Sequence, residues 1–139
     1  MNSYAKINAL RAIAGGWTNI TPVNDAHGTL LGEPPDGAKN SRGQALVPDY
    51  CGDWRHAGLA LSAYTGSSVW TDQAYAYAKL QDCENTVALR ELIADHPTLD
   101  TAIKTAIIRA ETAIMNARVP LAIRRAEAAR RATERATTP

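Results

Sequence analysis

The residues able to do chemistry fall into two groups. Asp49, Cys51, Asp53 and His56 stand close together in the front half. Lys79, Arg90, Lys104, Arg109, Asn116 and Arg118 are spread along the back half. The first group suggests metal ligation or acid–base work. Yet no second Cys–His pair sits at a spacing that would close a tetrahedral site, and acids flanking a helix start serve equally well as caps. No glycine elbow frames a nucleophile. Gly32-x4-Gly37-Ala38-Lys39 departs from a phosphate-binding loop, because Ala38 intervenes before the lysine and Pro34–Pro35 removes amide donors. The expectation is a protein that is not an enzyme and that holds neither metal nor cofactor. The second group is better suited to binding. Arginine offers a planar fork to phosphate oxygens, and Asn and Tyr can hydrogen-bond or stack with base and ribose.

Composition narrows the classes further. The chain has 139 residues and a formal net charge of +1, so no uniform polyanion-binding surface is implied. From Arg118 onward, six arginines stand against two glutamates. The arginines Arg124, Arg125, Arg130, Arg131 and Arg135 could contact phosphate backbones. Without interleaved aromatics they point to a solvated helix face rather than specific nucleic-acid recognition. No stretch approaches the ~18 apolar residues of a membrane span. The N-terminus lacks the plan of a signal peptide, and two cysteines are too few for a disulfide scaffold. A soluble, cytosolic protein is expected.

The elements that would position these groups follow from periodicity. Residues 3–14 read as a helix capped by Ser3 and ended by Gly15–Gly16. An extended segment begins at Trp17, and residues 21–48 read as a Pro/Gly-rich loop, or as two short strands joined by one. A helix over about 51–64, capped by Asp49, and a strand at Ser67–Trp70 complete a small α/β unit over residues 1–70. In the back half, Tyr77, Leu80, Cys83, Val87 and Ala88 fit one stripe of a helix from Thr71 or Asp72 to Ile93. Asp95–His96–Pro97 breaks the chain and Thr98 caps a second helix, whose stripe runs from Leu99 through Ala106, Ile107 and Ile114 to Leu121. A turn this short predicts an antiparallel helical hairpin over 71–139, with a basic C-terminal helix. Pro120 either kinks that second helix or begins another. The fold class expected is α+β, with the small N-terminal unit preceding the hairpin. Ile108 and Met115 lie off the main stripe and predict a homo-oligomer contact, unless the front unit covers them. Lys104, Arg109, Asn116 and Arg118, with Lys79 and Arg90 on the partner helix, would then converge on a small anionic ligand between protomers.

Asp95–Ile103 and Ala106–Ala117 resemble the second helix of the helical hairpin shared by phage anti-CBASS and anti-Thoeris nucleotide sponges. Glu111, Ala113 and Met115 match its Glu-x-Ala-x-Met segment, while Asn116 replaces the usual Trp and Ile108 stands where Thr is common. The likeness covers about Thr71–Ile123. In the front half, Ile7–Leu10, Gly16–Trp17 and Val47–Trp54 resemble segments of a phage α/β/α-sandwich family of unknown function. The sponge resemblance implies a phage counter-defence protein in the cytoplasm of the infected bacterium. It would sequester a cyclic nucleotide or cyclic ADP-ribose-type signal uncleaved, as a homo-oligomer. It places Lys79 and Tyr75 or Tyr77 among the ligand groups of the first helix and Arg109 at a basic position of the second. The appended front unit favours the anti-Thoeris branch and an ADP-ribose-derived signal. The competing reading is a phage adaptor that inhibits a host defence protein by direct contact.

Overall fold

The computed structural model describes residues 3–23, 27–35 and 43–137, with the backbone alone over 119–128 and 135–137. The first helix, α1 (Ser3–Ala14), ends at the two glycines as expected. Gly16 takes a positive φ of 98°, the Trp17 amide returns to the Ala12 carbonyl and the Gly16 amide to Ile13. This is a left-handed helix cap, favoured where no Cβ obstructs the turn. The chain then forms β1 (Thr18–Pro22), β2 (Leu30–Glu33) and β3 (Ala45–Leu46), an antiparallel sheet in that order. Ala5 and Ala9 bring α1 down onto Leu30, with Ile20 and Val47 packed beside them. The lysine-bearing run Gly37–Ser41 lies outside the described residues.

The second helix, α2 (Trp54–Ala63), starts three residues later than expected and is capped by Asp53 rather than Asp49. The Asp53 carboxylate accepts the Arg55 amide and the Arg55 guanidinium. Those bonds hold its carboxyl down at about 2, from an ordinary 3.8. A group whose pKa is lower in the folded state stabilises the fold above its unfolded value and loses that contribution as pH falls through the folded one. Between pH 4 and 2, therefore, Asp53→Asn should flatten the acid-induced loss of stability relative to wild type in circular dichroism melts. An unchanged slope would show that the cap makes no such contribution.

The largest correction concerns residues 71–93. They form no helix. After β4 (Ser68–Thr71), β5 (Tyr75–Gln81) and β6 (Thr86–Leu92) make an antiparallel meander in the order β4–β5–β6. Ala76, Ala78 and Leu80 are buried while Tyr75, Tyr77 and Lys79 point the other way, the period-2 pattern of a strand. Asp72, expected at a helix start, and Asp82 instead build turns. Asp72 accepts the amides of Ala74 and Tyr75, and Asp82 those of Glu84 and Asn85. Both are aspartate-centred turns, closed by a short side chain bonding its own backbone two or three residues on. A helical hairpin is therefore absent. The structure is α+β, with two small antiparallel sheets.

Ile93–Asp95 makes one 3-10 turn, and α3 (Leu99–Thr137) follows. Thr98 Oγ1 accepts the Thr101 amide, the cap expected of it. Pro120 lies inside α3, so the basic end belongs to this one element rather than to a separate helix. Ala106, Ile107, Ala110 and Ile114 meet Ala78 and Leu80 of β5, and Ala57, Ala60 and Tyr64 around α2 complete that core. The alanines allow close approach between helix and sheet. The opposite side of α3 is covered from within the same chain: Ile108 is fully buried with Ala12, Tyr50 and Cys51. Ile108 is thus unavailable to a second copy, and the front of the chain accounts for its apolar character. Met115 is half-buried. The boundary expected at residue 70 falls inside β4, which pairs along its length with β5.

Candidate ligand-binding face

With alternate residues of β5 committed to the core, the others form an outer face. Cross-strand register places Trp70 opposite Tyr77, and Tyr77 opposite Arg90. Tyr75 faces Leu92, while Lys79 lies between Ser68 and Ala88. The Trp70 and Tyr77 rings stack with centroids 5.1 Å apart and planes within 4° of parallel. Tyr75 is tilted against Tyr77 at 6.1 Å, and the Arg90 guanidinium lies 4.3 Å from the centre of the Tyr75 ring. Trp70 keeps 45% of its surface exposed. Aromatic rings in cross-strand pairs stabilise a sheet, but a tryptophan so exposed also leaves a π-face to solvent.

One polar bond fixes this platform. Tyr77 Oη donates to Asp72 Oδ2 at 2.6 Å. That bond lowers the Asp72 carboxyl and raises the Tyr77 phenol, so the proton stays on the phenol and the charge on the carboxylate. Arg90 and Lys79 supply two cations on the same face. The surface can stack planar rings and hold a negative group beside them.

Of the seven side chains expected to bind ligand, three meet here: Tyr75, Tyr77 and Lys79. The four on α3 do not join them, nor do they gather with one another. Arg109 donates to Glu91 at 2.5 Å, and Arg118 bonds Asp82 at 2.7 Å with its guanidinium 5.0 Å from the Tyr64 ring centre. Asn116 is exposed on α3. Lys104 is 8% exposed; its Nζ donates to the Gly52 carbonyl at 3.2 Å and lies 3.3 Å from Asp100 Oδ2. A helix turns 100° per residue, so four cationic or amide groups over fifteen positions could share a face only at helical spacing. Arg109 and Asn116, seven apart, share one side of α3 and Lys104 and Arg118 another, and the partners of the three cations lie on separate elements.

Trp70 escaped the sequence reading as a ligand group, and Arg90 was assigned to a helix. The signal for both was the alternation Tyr75-Ala76-Tyr77-Ala78-Lys79-Leu80, which aligns them once β5 is read as a strand.

The front group of candidates is structural. Asn8 donates to Asp49 Oδ1 at 2.9 Å and accepts the Cys51 amide at 3.0 Å, clamping the chain beneath α1. His56 packs edge-on against Tyr50, and Arg11 pairs with Glu111 while covering the Tyr50 ring. Among the described residues no three His, Cys, Asp or Glu side chains gather as a metal site. Burial, helped by the nearby Asp49 carboxylate, pushes the Cys51 thiol up to about 12. A thiolate is the reactive form. At pH 8 a thiol reagent should therefore label the exposed Cys83 quickly and spare Cys51 until urea unfolds the chain. Two rapidly reacting thiols in the native protein would contradict this packing.

Among the described residues, no helix is long and apolar enough to cross a membrane. No family model, curated protein or solved structure matches the chain.

Proposed function

We propose that the outer face of the β4–β6 sheet binds a nucleotide-derived anionic signal and holds it uncleaved, in the manner of a phage counter-defence sponge. The observation that carries this reading is the stacked Trp70–Tyr77 pair with Tyr75, Arg90 and Lys79 on one exposed surface. Ring stacking is tolerant of base identity, and two cations are enough for a signal bearing a few phosphates. The helical hairpin that suggested a sponge is not its support. The site is instead a sheet, and its ligand groups come from strands. The signal proposed is of the ADP-ribose type, and the setting proposed is the cytoplasm of an infected bacterium.

Isothermal titration with cyclic ADP-ribose isomers and with cyclic di- and trinucleotides tests the proposal. Binding to one of them, with the ligand recovered unaltered after heat denaturation, is the expected result. A folded protein that binds none of them would overturn it.

A second reading, an adaptor that inhibits a host protein by contact, draws on different surface. Leu10 and Ile13 of α1 are 50% and 56% exposed. Leu10→Glu with Ile13→Glu would abolish such a contact and leave nucleotide binding intact.

A further inference from the structure

A second arrangement shares no residue with the aromatic face. Tyr4, near the start of α1, places its Oη 2.7 Å from His96 Nδ1. His96 Nε2 lies 3.3 Å from Glu91 Oε2, and Glu91 Oε1 accepts Arg109 at 2.5 Å. The imidazole is nearly enclosed, with 6% of its side chain exposed, and Glu91 keeps 14%. A carboxylate can only accept, so it selects the ring tautomer with the proton on Nε2. Nδ1 is then the acceptor, and the Tyr4 hydroxyl donates to it. Hydroxyl, imidazole and carboxylate stand in line, the carboxylate fixed by an arginine.

This line ends at a cavity. Tyr4, His96 and Glu91 border a cleft of about 460 Å³ that is also lined by Lys6, Ile7, Leu10 and Arg109. Lys6 and Asp95 bring opposite charges to its wall, and Ile7 and Leu10 an apolar surface. Burial is the main cause that raises the Tyr4 phenol, with the thiol of Cys51 and the carboxylate of Glu91 adding to it. The hydroxyl therefore stays protonated near neutrality and gains nucleophilic character only if a base takes its proton during attack. The same logic governs serine paired with histidine.

We propose that Tyr4 is a base-assisted nucleophile and that the cleft admits a small carboxylic ester, its acyl group against Ile7 and Leu10. Tyr4 Oη attacks the carbonyl carbon as its proton passes to His96 Nδ1, and Glu91 holds the resulting imidazolium through Nε2. Collapse breaks the bond to the leaving alcohol, which departs with the proton from His96. An aryl ester of Tyr4 remains. Water, giving a proton to His96, then attacks that ester; the acid is released and the proton returns to Tyr4. The sum is hydrolysis, with water as the only co-reactant.

The test uses the whole chain and two reagents, phenylmethylsulfonyl fluoride and para-nitrophenyl acetate, with adducts located by peptide mass spectrometry. Tyr4 should be modified by both at least tenfold faster than Tyr75 or Tyr77, which are also half-buried and contact no imidazole. Glu91→Gln should slow Tyr4 modification about tenfold at an unchanged melting temperature, and Glu91→Asp should recover part of the rate. A positioning carboxylate predicts that recovery; a packing role does not. Modification of Tyr4 no faster than of Tyr75 in the wild-type protein would overturn the proposal without recourse to any variant. Sulfonylation without acyl transfer from the acetate would overturn the ester as substrate class. Nucleotide binding at the aromatic face is unaffected by either outcome.

Discussion

Replacing Ile107 by alanine is expected to lower the free energy of unfolding by about 2–5 kcal/mol, the range seen for emptying a fully packed aliphatic site. Ile107 has no exposed surface and sits where α3 meets β5 and α2. Five of the eight other buried residues of that cluster are alanines, which have no side chain to swing into a cavity. Collapse around the missing atoms would be poor, which argues for the upper part of the range. In a domain of this size the melting temperature should drop by roughly 10 °C. Ile103→Ala, at a half-buried position one turn earlier, should cost much less. Equal losses at the two positions in denaturant melts would contradict the packing of β5 against α3.

Trp70→Ala is expected to weaken nucleotide binding by about fivefold to over a hundredfold, since one base–aromatic stack contributes roughly 1–3 kcal/mol. The same truncation removes Tyr77's stacking partner but leaves its bond to Asp72. The strand pairing that holds β4 to β5 is backbone-based and should persist. A large loss of affinity with a modest change in melting temperature is therefore the predicted signature. Arg90→Ala should weaken binding as well, with a steeper dependence on ligand charge than on base identity. A Trp70→Ala protein that binds as well as wild type would place the ligand elsewhere.

How much of this was legible in the sequence depends on what each segment had to decide. The glycine pair after Ala14 and the threonine before Leu99 are local signals, and both elements they delimit are found. The strand at Ser68–Thr71 and the short strands at Leu30 and Ala45 also matched their turn residues. Residues 71–93 were harder. Leu80, Cys83 and Val87 satisfy helical spacing, while Ala76, Ala78 and Leu80 satisfy alternation, because alanine is compatible with either interior. What decides between them is the pair of aspartates. Asp72 and Asp82 can cap a helix or close a turn, and only the pairing of Thr71 with Ala76 across the first turn and of Gln81 with Thr86 across the second commits them to the latter. The sheet is backed by Ala106, Ile107, Ala110 and Ile114 of α3, about twenty or more residues downstream.

The same error dispersed the candidate site. The resemblance places Lys79 with Tyr75 or Tyr77 among the ligand groups of a helix, where residues two apart face different ways. As strand neighbours they face outward with Trp70 and Arg90. The cations of α3 were read as free to meet a ligand because their partners are distant in sequence. Glu91 for Arg109 and Asp82 for Arg118 become neighbours only after the sheet folds against the helix. The Tyr4–His96 contact spans the chain from α1 to the turn before α3, and no spacing rule could have paired them.

The central claim is that a nucleotide-derived signal stacks on the outer sheet face, and the indole resonances test it most directly. The protein has three tryptophans, Trp17, Trp54 and Trp70. In nitrogen–proton correlation spectra recorded during titration with cyclic ADP-ribose, the Trp70 indole signal should move together with the amides of Lys79 and Arg90, while those of Trp17 and Trp54 stay in place. A shift confined to Trp17 or Trp54, or no shift at saturating ligand, would contradict the account.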